Sequence, residues 1–188
     1  MLLTRDSLPE TIADIAALDD LLCRPSQALI DDLRKVDGDI MILGVAGKMG
    51  PTLAGLAKAA APERRVIGVA RFSDPVVKQW LQARGVEAIN CDLLDEAAIK
   101  ALPKVPNIVF MAGRKFGAEG DLSLTWAINA HVPALVAQAF AGSRIVAFST
   151  GCVYPFVPVN GRGASERTPA VARPGALALE RSHHEARV

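Results

Sequence analysis

Three glycines spaced three residues apart are the feature of this sequence best suited to chemistry. They are Gly44, Gly47 and Gly50, with Lys48 and Met49 before the last of them, and they stand between a short apolar run and a helical pattern. Glycines in such a bend allow a tight turn, let the backbone approach a pyrophosphate, and leave free N–H groups at the helix start for the phosphate charge. The spacing therefore predicts a dinucleotide-binding loop that includes all five residues. The alternative is an ordinary turn.

The tip of the next predicted strand carries a cation. An acid at this tip hydrogen-bonds the ribose 2′-hydroxyl of NAD, whereas a cation pairs with the 2′-phosphate of NADP. The sequence reads Ala70-Arg71-Phe72-Ser73 there, and a guanidinium can bind phosphate through two parallel hydrogen bonds. Arg71 therefore favours NADP over NAD, the alternative being a solvated surface arginine, and Asp74 is better placed to cap the next helix.

Asp92 and Leu93 follow the third predicted strand, within the run Cys91-Asp-Leu-Leu-Asp95. By residue type alone, Asp92 could equally be a helix N-cap. Here the sequence resembles the extended short-chain dehydrogenase/reductase family, the NAD(P)-dependent epimerases and dehydratases, over residues 39–154. The resemblance implies that Asp92 accepts a hydrogen bond from the adenine amino group and that Leu93 lies beside the ring.

Three later segments match the same family. Ala112 and Gly113 stand where the family has a small-residue pair whose backbone lines the cofactor, and Asn129 matches an asparagine that helps to hold the site. The run at 149–154, Ser-Thr-Gly-Cys-Val-Tyr, resembles the family's Ser-Ser-x-x-Val-Tyr signature. The resemblance implies that Thr150 is the catalytic hydroxyl that hydrogen-bonds the substrate oxygen. The alternatives are an ordinary polar helix residue at 129 and a backbone cap at 150.

The sequence departs from the family in the pair that should transfer a proton. The family uses Tyr-x-x-x-Lys on the following helix, where the lysine lowers the phenol pKa from its usual value of about 10. The one tyrosine, Tyr154, belongs to the strand-end signature, and no lysine follows Lys115. Either the chain is a truncated or altered form of a longer enzyme, which the loss of pattern after Tyr154 favours, or it is a dinucleotide-binding regulatory or interaction module without turnover. For the enzyme, the resemblance implies hydride transfer between nicotinamide and a carbon-bound hydroxyl of an unidentified small molecule.

Arg114 and Lys115 follow the small-residue pair at 112–113. They are expected to face solvent rather than phosphates.

Apolar periodicity places these residues on alternating strands and helices. Strands are predicted at 39–44, 65–70, 87–90, 107–112 and 144–148, and helices at 49–61, 75–84, 95–102 and 122–141. Strands joined by helices form right-handed crossovers and a parallel sheet covered on both faces. We predict a doubly wound α/β sheet of Rossmann type, strand order 3-2-1-4-5, with ligands outside the carboxyl ends of the strands.

Two regions flank this dinucleotide-binding domain, which is predicted at residues 39–154. Residues 1–38 are expected to form an N-terminal helical extension, with helices at 10–22 and 26–36 laid against the sheet edge or a partner subunit. Residues 155–188 are expected to form an irregular tail, with the substrate lobe missing. The extension and the uncovered sheet edge favour a homo-oligomer.

Composition excludes several classes of protein. The 21 basic and 20 acidic residues nearly cancel, which gives no electrostatic footprint for nucleic acid or for an anionic membrane. No apolar run approaches the roughly 20 residues of a membrane span. The first residues lack the apolar stretch of a secretory signal, which indicates a cytoplasmic protein. The three cysteines are far apart in the sequence and predict neither disulfides nor a metal site.

Overall fold

The computed structural model describes residues 2–114, 121–149, 154–165 and 167–168. The strands are β1 (Ile40–Leu43), β2 (Val66–Ala70), β3 (Glu87–Asn90), β4 (Asn107–Phe110) and β5 (Arg144–Ala147). The helices are α1 (Ile15–Leu22), α2 (Gln27–Arg34), α3 (Gly50–Ala60), α4 (Pro75–Ala83), α5 (Glu96–Ala101), α6 (Leu122–Trp126) and α7 (Val132–Ala139). A 3-10 turn, Arg5–Ser7, precedes α1, and a π-helical turn, Ala127–His131, joins α6 to α7.

The five strands form one parallel sheet in the order β3-β2-β1-β4-β5. The predicted fold and strand order are confirmed. In the register of the sheet, Leu43 at the end of β1 lies opposite Val69 on one side and Phe110 on the other. The carboxyl ends of the central strands therefore meet at one edge, and the loops that follow them converge there.

The central strand β1 is buried on both faces, which explains why it appears in the sequence as an unbroken apolar run. Met41 and Leu43 point to the face covered by α5 and α7, whereas Ile40 and Ile42 point to the face covered by α3 and α4. This alternation is the two-residue period of a strand. Full burial of a side chain of this size contributes roughly 1.5–3 kcal/mol relative to exposure.

The helix predicted at 122–141 is interrupted, and that prediction is wrong in this respect. A π-helical turn, Ala127–His131, separates α6 from α7, and Pro133 stands in the first turn of α7. Proline lacks an N–H, and its ring crowds the carbonyl four residues earlier, here that of Asn129. The helix widens at this point instead of continuing in the α form.

The N-terminal helices pack against α3. Of the two expected positions, the edge of the sheet is therefore not the one observed, and contact with a partner subunit stays a prediction. Asp14 begins α1 by accepting a hydrogen bond from the Ala17 N–H, and Ser26 begins α2 in the same way. Because the cap is Asp14, α1 starts later than the predicted residue 10. Arg64 donates to the Leu33 carbonyl at 2.7 Å and so holds the end of α2.

Residues 1–148 form one compact unit and residues 149–188 a second. In the second unit the described residues form turns, such as the one closed by the Gly161 N–H at the Pro158 carbonyl. Across the parts of the chain that the structure describes, no helix is both long enough and apolar enough to cross a membrane.

Candidate functional site

A cavity of about 400 Å³ opens at the carboxyl ends of β1, β2, β3 and β4. Its walls are the segments that follow these four strands, together with Ile128 and Val132. The volume falls within the range of pockets that hold small molecules and cofactors. The cavity lies at the edge where a doubly wound sheet binds its ligands.

Two of the three glycines after β1 are required by the protein itself. Gly44 has a φ of +85°, which side chains rarely adopt, and a Cβ there would lie 2.6 Å from the Ala112 nitrogen. A Cβ on Gly50 would overlap the carbonyl of Val45. Gly44 lets the bend lie against the segment after β4, and Gly50 lets the start of α3 pack against the loop.

Gly47 has a different environment. A Cβ built on it would meet only the Gly44 carbonyl oxygen, at 3.5 Å, which is ordinary van der Waals contact. Its φ lies outside the left-handed region, and the residue lines the cavity. The protein therefore does not need glycine here for its own packing. Glycine at this position instead leaves space at the cavity wall.

The N–H groups of all three glycines bond within the protein. They donate to the carbonyls of Val69, Gly44 and Gly47 in turn, at 2.9, 3.2 and 3.3 Å. The glycines therefore shape the loop without presenting their own donors to a ligand.

The free donors of the loop belong to the residues between the glycines. Among the described residues, no acceptor takes the N–H groups of Ala46, Lys48 or Met49. Ala46 lines the cavity, and Met49 is the exposed N-cap residue of α3. Unpaired N–H groups at a helix start attract anions. Lys48 and Met49 lie beyond the residues that line the cavity.

Arg71 is exposed and lines the cavity at the tip of β2. No carboxylate within the described ranges forms an ion pair with it. The next residue, Phe72, has a φ of +47° and is the one non-glycine residue of the described chain with a positive φ. Its ring is buried in the core beneath α3 and α4.

The left-handed backbone at Phe72 costs on the order of 1–2 kcal/mol. Phe72 belongs to the core cluster and, like Arg71 and Ser73 on either side, also lines the cavity. Phe72 is not among the site residues predicted above, since no sequence pattern marks a phenylalanine for a left-handed position. The N-cap assigned to Asp74 is confirmed, because its carboxylate accepts from the Val76 N–H at 2.9 Å.

Asp92 and Leu93 both line the cavity after β3. One carboxylate oxygen of Asp92 accepts from the Leu94 N–H at 3.0 Å, which folds the segment into a local turn. The N-cap of α5 is Asp95, so the alternative assignment of Asp92 as that cap is wrong. Beside them, burial raises the pKa of the Cys91 thiol above its usual value.

Asn129 holds the segment after β4 from outside the cavity. Its amide accepts from the Arg114 N–H at 2.7 Å and donates to the Arg114 carbonyl at 2.9 Å. Ala112 and Gly113, immediately before Arg114, line the cavity. Asn129 therefore fixes the loop that forms this wall.

The Arg114 side chain is not solvated as expected. Only 18% of it is exposed, and its Nη1 lies 3.6 Å from a carboxylate oxygen of Asp121. A hydrogen bond from the Leu124 N–H is the largest cause that lowers the pKa of Asp121, and Arg114 adds to the effect. The expectations for Lys115 and Thr150 lie outside the described residues.

The model of one protein family matches residues 40–174, well over half of the chain, and its description is NAD dependent epimerase/dehydratase family. The chain belongs to this family. The membership confirms the resemblance noted in the sequence and supports a nicotinamide cofactor. The match begins at β1, so α1 and α2 lie outside it.

Three solved structures illustrate the same fold. ADP-L-glycero-D-manno-heptose-6-epimerase of Helicobacter pylori is 16% identical with a TM-score of 0.58, covering 71% of this chain and 45% of that one. UDP-glucuronic acid 4-epimerase of Bacillus cereus is 18% identical with a TM-score of 0.55, covering 71% and 46%. The Bordetella bronchiseptica enzyme WbmG, solved with NAD, is 22% identical with a TM-score of 0.53, covering 64% and 40%.

The chain thus spans less than half the length of each of these three structures. At these identities the likeness concerns the fold alone. No curated protein matches the sequence.

Proposed function

We propose that this chain binds a nicotinamide dinucleotide, NADP in preference to NAD, in the cavity at the carboxyl ends of its central strands. The observation that carries the proposal is Gly47, where the protein leaves room for a side chain and glycine keeps that room open to the cavity. A pyrophosphate that approaches the backbone needs such an opening. Membership of the family supports the cofactor class.

The diphosphate is assigned to the loop after β1. Ala46, Lys48 and Met49 supply N–H donors without acceptors among the described residues, at or beside the positive end of α3. The Lys48 ammonium adds charge of the favourable sign. The backbone of Ala112 and Gly113 lies beside the loop and forms another part of the cavity wall, which Asn129 holds in place.

The adenosine end is assigned to the segments after β2 and β3. Asp92 uses one carboxylate oxygen for its own turn and has a second with which to accept from an adenine amino group. Leu93 supplies an apolar surface beside the ring. Arg71 lies at the cavity without a carboxylate partner among the described residues, which suits a guanidinium that binds a 2′-phosphate. This arrangement supports NADP.

When bound, the cofactor would accept a hydride from, or return one to, the carbon that bears the substrate hydroxyl, which is the chemistry of the epimerase, dehydratase and reductase enzymes that this chain resembles. Thr150 is the residue we assign to hydrogen-bond the substrate oxygen. A second candidate function is dinucleotide binding without turnover, in a regulatory or interaction module. It is supported by the absence of a Tyr-x-x-x-Lys pair from the 188 residues, which leaves proton transfer without an assigned residue.

The test is a fluorescence titration of the chain with NADPH and with NADH, followed by an assay for turnover. We expect saturable binding of both and tighter binding of NADPH. Binding with turnover supports the enzyme, and binding without turnover supports the module. Failure of both dinucleotides to bind would overturn both candidates.

A further inference from the structure

The N-terminal extension touches α3 within one turn of the dinucleotide loop. The Cys23 thiol, just after α1, donates to the carbonyl of Thr52 at 3.6 Å. Burial is the largest cause that raises the pKa of this thiol, which keeps it protonated and able to donate. Thr52 lies in the first turn of α3, two residues after Gly50 closes the loop. Residues outside the family match thus contact the helix that presents the loop.

The contact is a fitted junction between α1, α3 and α4. A Cβ on Gly55 in α3 would lie 2.6 Å from the Cys23 sulfur, 3.4 Å from Trp80 and 3.5 Å from Arg84. The Arg84 guanidinium stacks 3.7 Å from the centre of the Trp80 ring, and its Nη2 lies 2.7 Å from an Asp20 carboxylate oxygen. Glycine in a helix interior is unfavourable. Because the Cys23 sulfur lies so close to Gly55, a side chain at position 55 would collide with it.

A shift of α3 at this junction reaches the loop through tight packing. Gly50, the first residue of α3, lies so close to Val45 that a Cβ would overlap the Val45 carbonyl. The Gly50 N–H also donates to the Gly47 carbonyl at 3.3 Å. Packed contacts of this kind transmit displacement because they have little free volume. The free N–H groups of Lys48 and Met49 lie between these two glycines.

We propose that α1 braces α3, and so holds the loop at 44–50 in the geometry that binds the diphosphate. The inference rests on the proposed function. Cys23 and Asp20 are positioning residues in it, since both lie outside the cavity and act through α3 and α4. The extension then adds affinity for the dinucleotide without contributing a contact to it.

The test is the substitution Gly55→Ala. It adds a methyl group 2.6 Å from the Cys23 sulfur, so that sulfur must leave its position against α3, although alanine favours the helix itself. We expect Gly55→Ala to weaken NADPH binding by roughly three- to tenfold. The double variant Gly55→Ala/Cys23→Ala removes the sulfur that the methyl meets, but it also removes the Cys23 bond to Thr52. We therefore expect it to bind NADPH better than Gly55→Ala and no better than Cys23→Ala alone. Gly142→Ala is the matched control, because a Cβ there meets nothing within 4 Å.

A second readout separates the brace from general destabilisation. Hydrogen exchange of the amides at 44–52 should quicken in Gly55→Ala and match that of Cys23→Ala in the double variant, whereas Gly142→Ala should resemble the wild type. If Gly55→Ala does not fold, Asp20→Asn provides the same comparison by weakening the pair with Arg84. NADPH affinity unchanged in the folded variant, with the wild type binding normally, overturns the brace alone. A wild type that binds neither NADPH nor NADH overturns the proposed function and the brace together.

Discussion

The substitution Gly47→Ala separates the two reasons for which a loop can contain glycine. Its Cβ meets only the Gly44 oxygen at 3.5 Å, and its φ is one that alanine tolerates. A compatible Gly→Ala change stabilises a protein by about 0.4–1 kcal/mol, mainly by restricting the unfolded chain. We therefore expect Gly47→Ala to leave the free energy of unfolding unchanged or to raise it by up to about 1 kcal/mol.

Binding should change in the opposite direction. The new methyl group projects into space that we assign to the diphosphate, and overpacking a fitted contact costs about 1–3 kcal/mol. That cost corresponds to a loss of NADPH affinity between roughly fivefold and 150-fold. Urea unfolding measures the stability of each variant, and fluorescence titration measures its affinity for NADPH.

Gly44→Ala is the contrasting variant in the same loop. Its Cβ would lie 2.6 Å from the Ala112 nitrogen on a backbone with a φ of +85°, so this change should lower stability as well as binding. The reasoning would be refuted if Gly47→Ala lost stability while its affinity for NADPH matched the wild type. That result would make Gly47 a structural glycine with no relation to a ligand.

Three further expectations follow from contacts around the cavity and the sheet. Arg71→Ala should weaken the binding of NADPH by roughly tenfold or more and that of NADH much less, because a hydrogen bond to a charged group contributes about 1.5–3 kcal/mol. Equal losses of affinity for the two dinucleotides would contradict the assignment of Arg71 to the 2′-phosphate. Asn129→Ala removes both bonds to the Arg114 backbone and should lower the free energy of unfolding by about 1–2 kcal/mol in urea, and an unchanged midpoint would contradict the holding role. The Arg65 guanidinium donates to the two Glu87 carboxylate oxygens at 2.6 and 2.9 Å, which lowers the pKa of Glu87 from its usual value of 4.5. Because the pKa of Glu87 is lower in the folded than in the unfolded protein, the wild type should be more stable than Glu87→Gln above about pH 4.5. This difference in the free energy of unfolding should vanish as the pH falls through the folded-state pKa. A difference that grows toward acid pH would contradict this pairing.

The fold was predictable because its strongest signals are local and mutually consistent. The four apolar residues of β1 are typical of a strand buried on both faces of a covered parallel sheet, and Asp74 and Asp95 are N-caps of a type that a sequence shows directly. Family membership then confirms the resemblance that rested on the motifs. Helix α1 could be located only approximately, since several residues before Asp14 share the same apolar period.

The site was less predictable because its decisive features depend on contacts between distant segments. The three glycines are identical in the sequence, yet Gly44 and Gly50 are required by packing and Gly47 is not. Phe72 combines a left-handed backbone with a buried side chain, a combination that no propensity of phenylalanine predicts. In the same way, only the fold shows that Asn129 reaches the backbone of Arg114, 15 residues away in the chain.

The central claim is that the N–H groups between the glycines receive the diphosphate, and an NMR titration of the isotope-labelled chain with NADPH tests it most directly. We predict that the amide resonances of Ala46, Lys48 and Met49 shift together and saturate at the dissociation constant found by fluorescence. If NADPH binds while these three resonances keep their positions, the diphosphate lies elsewhere and the assignment of the loop is wrong.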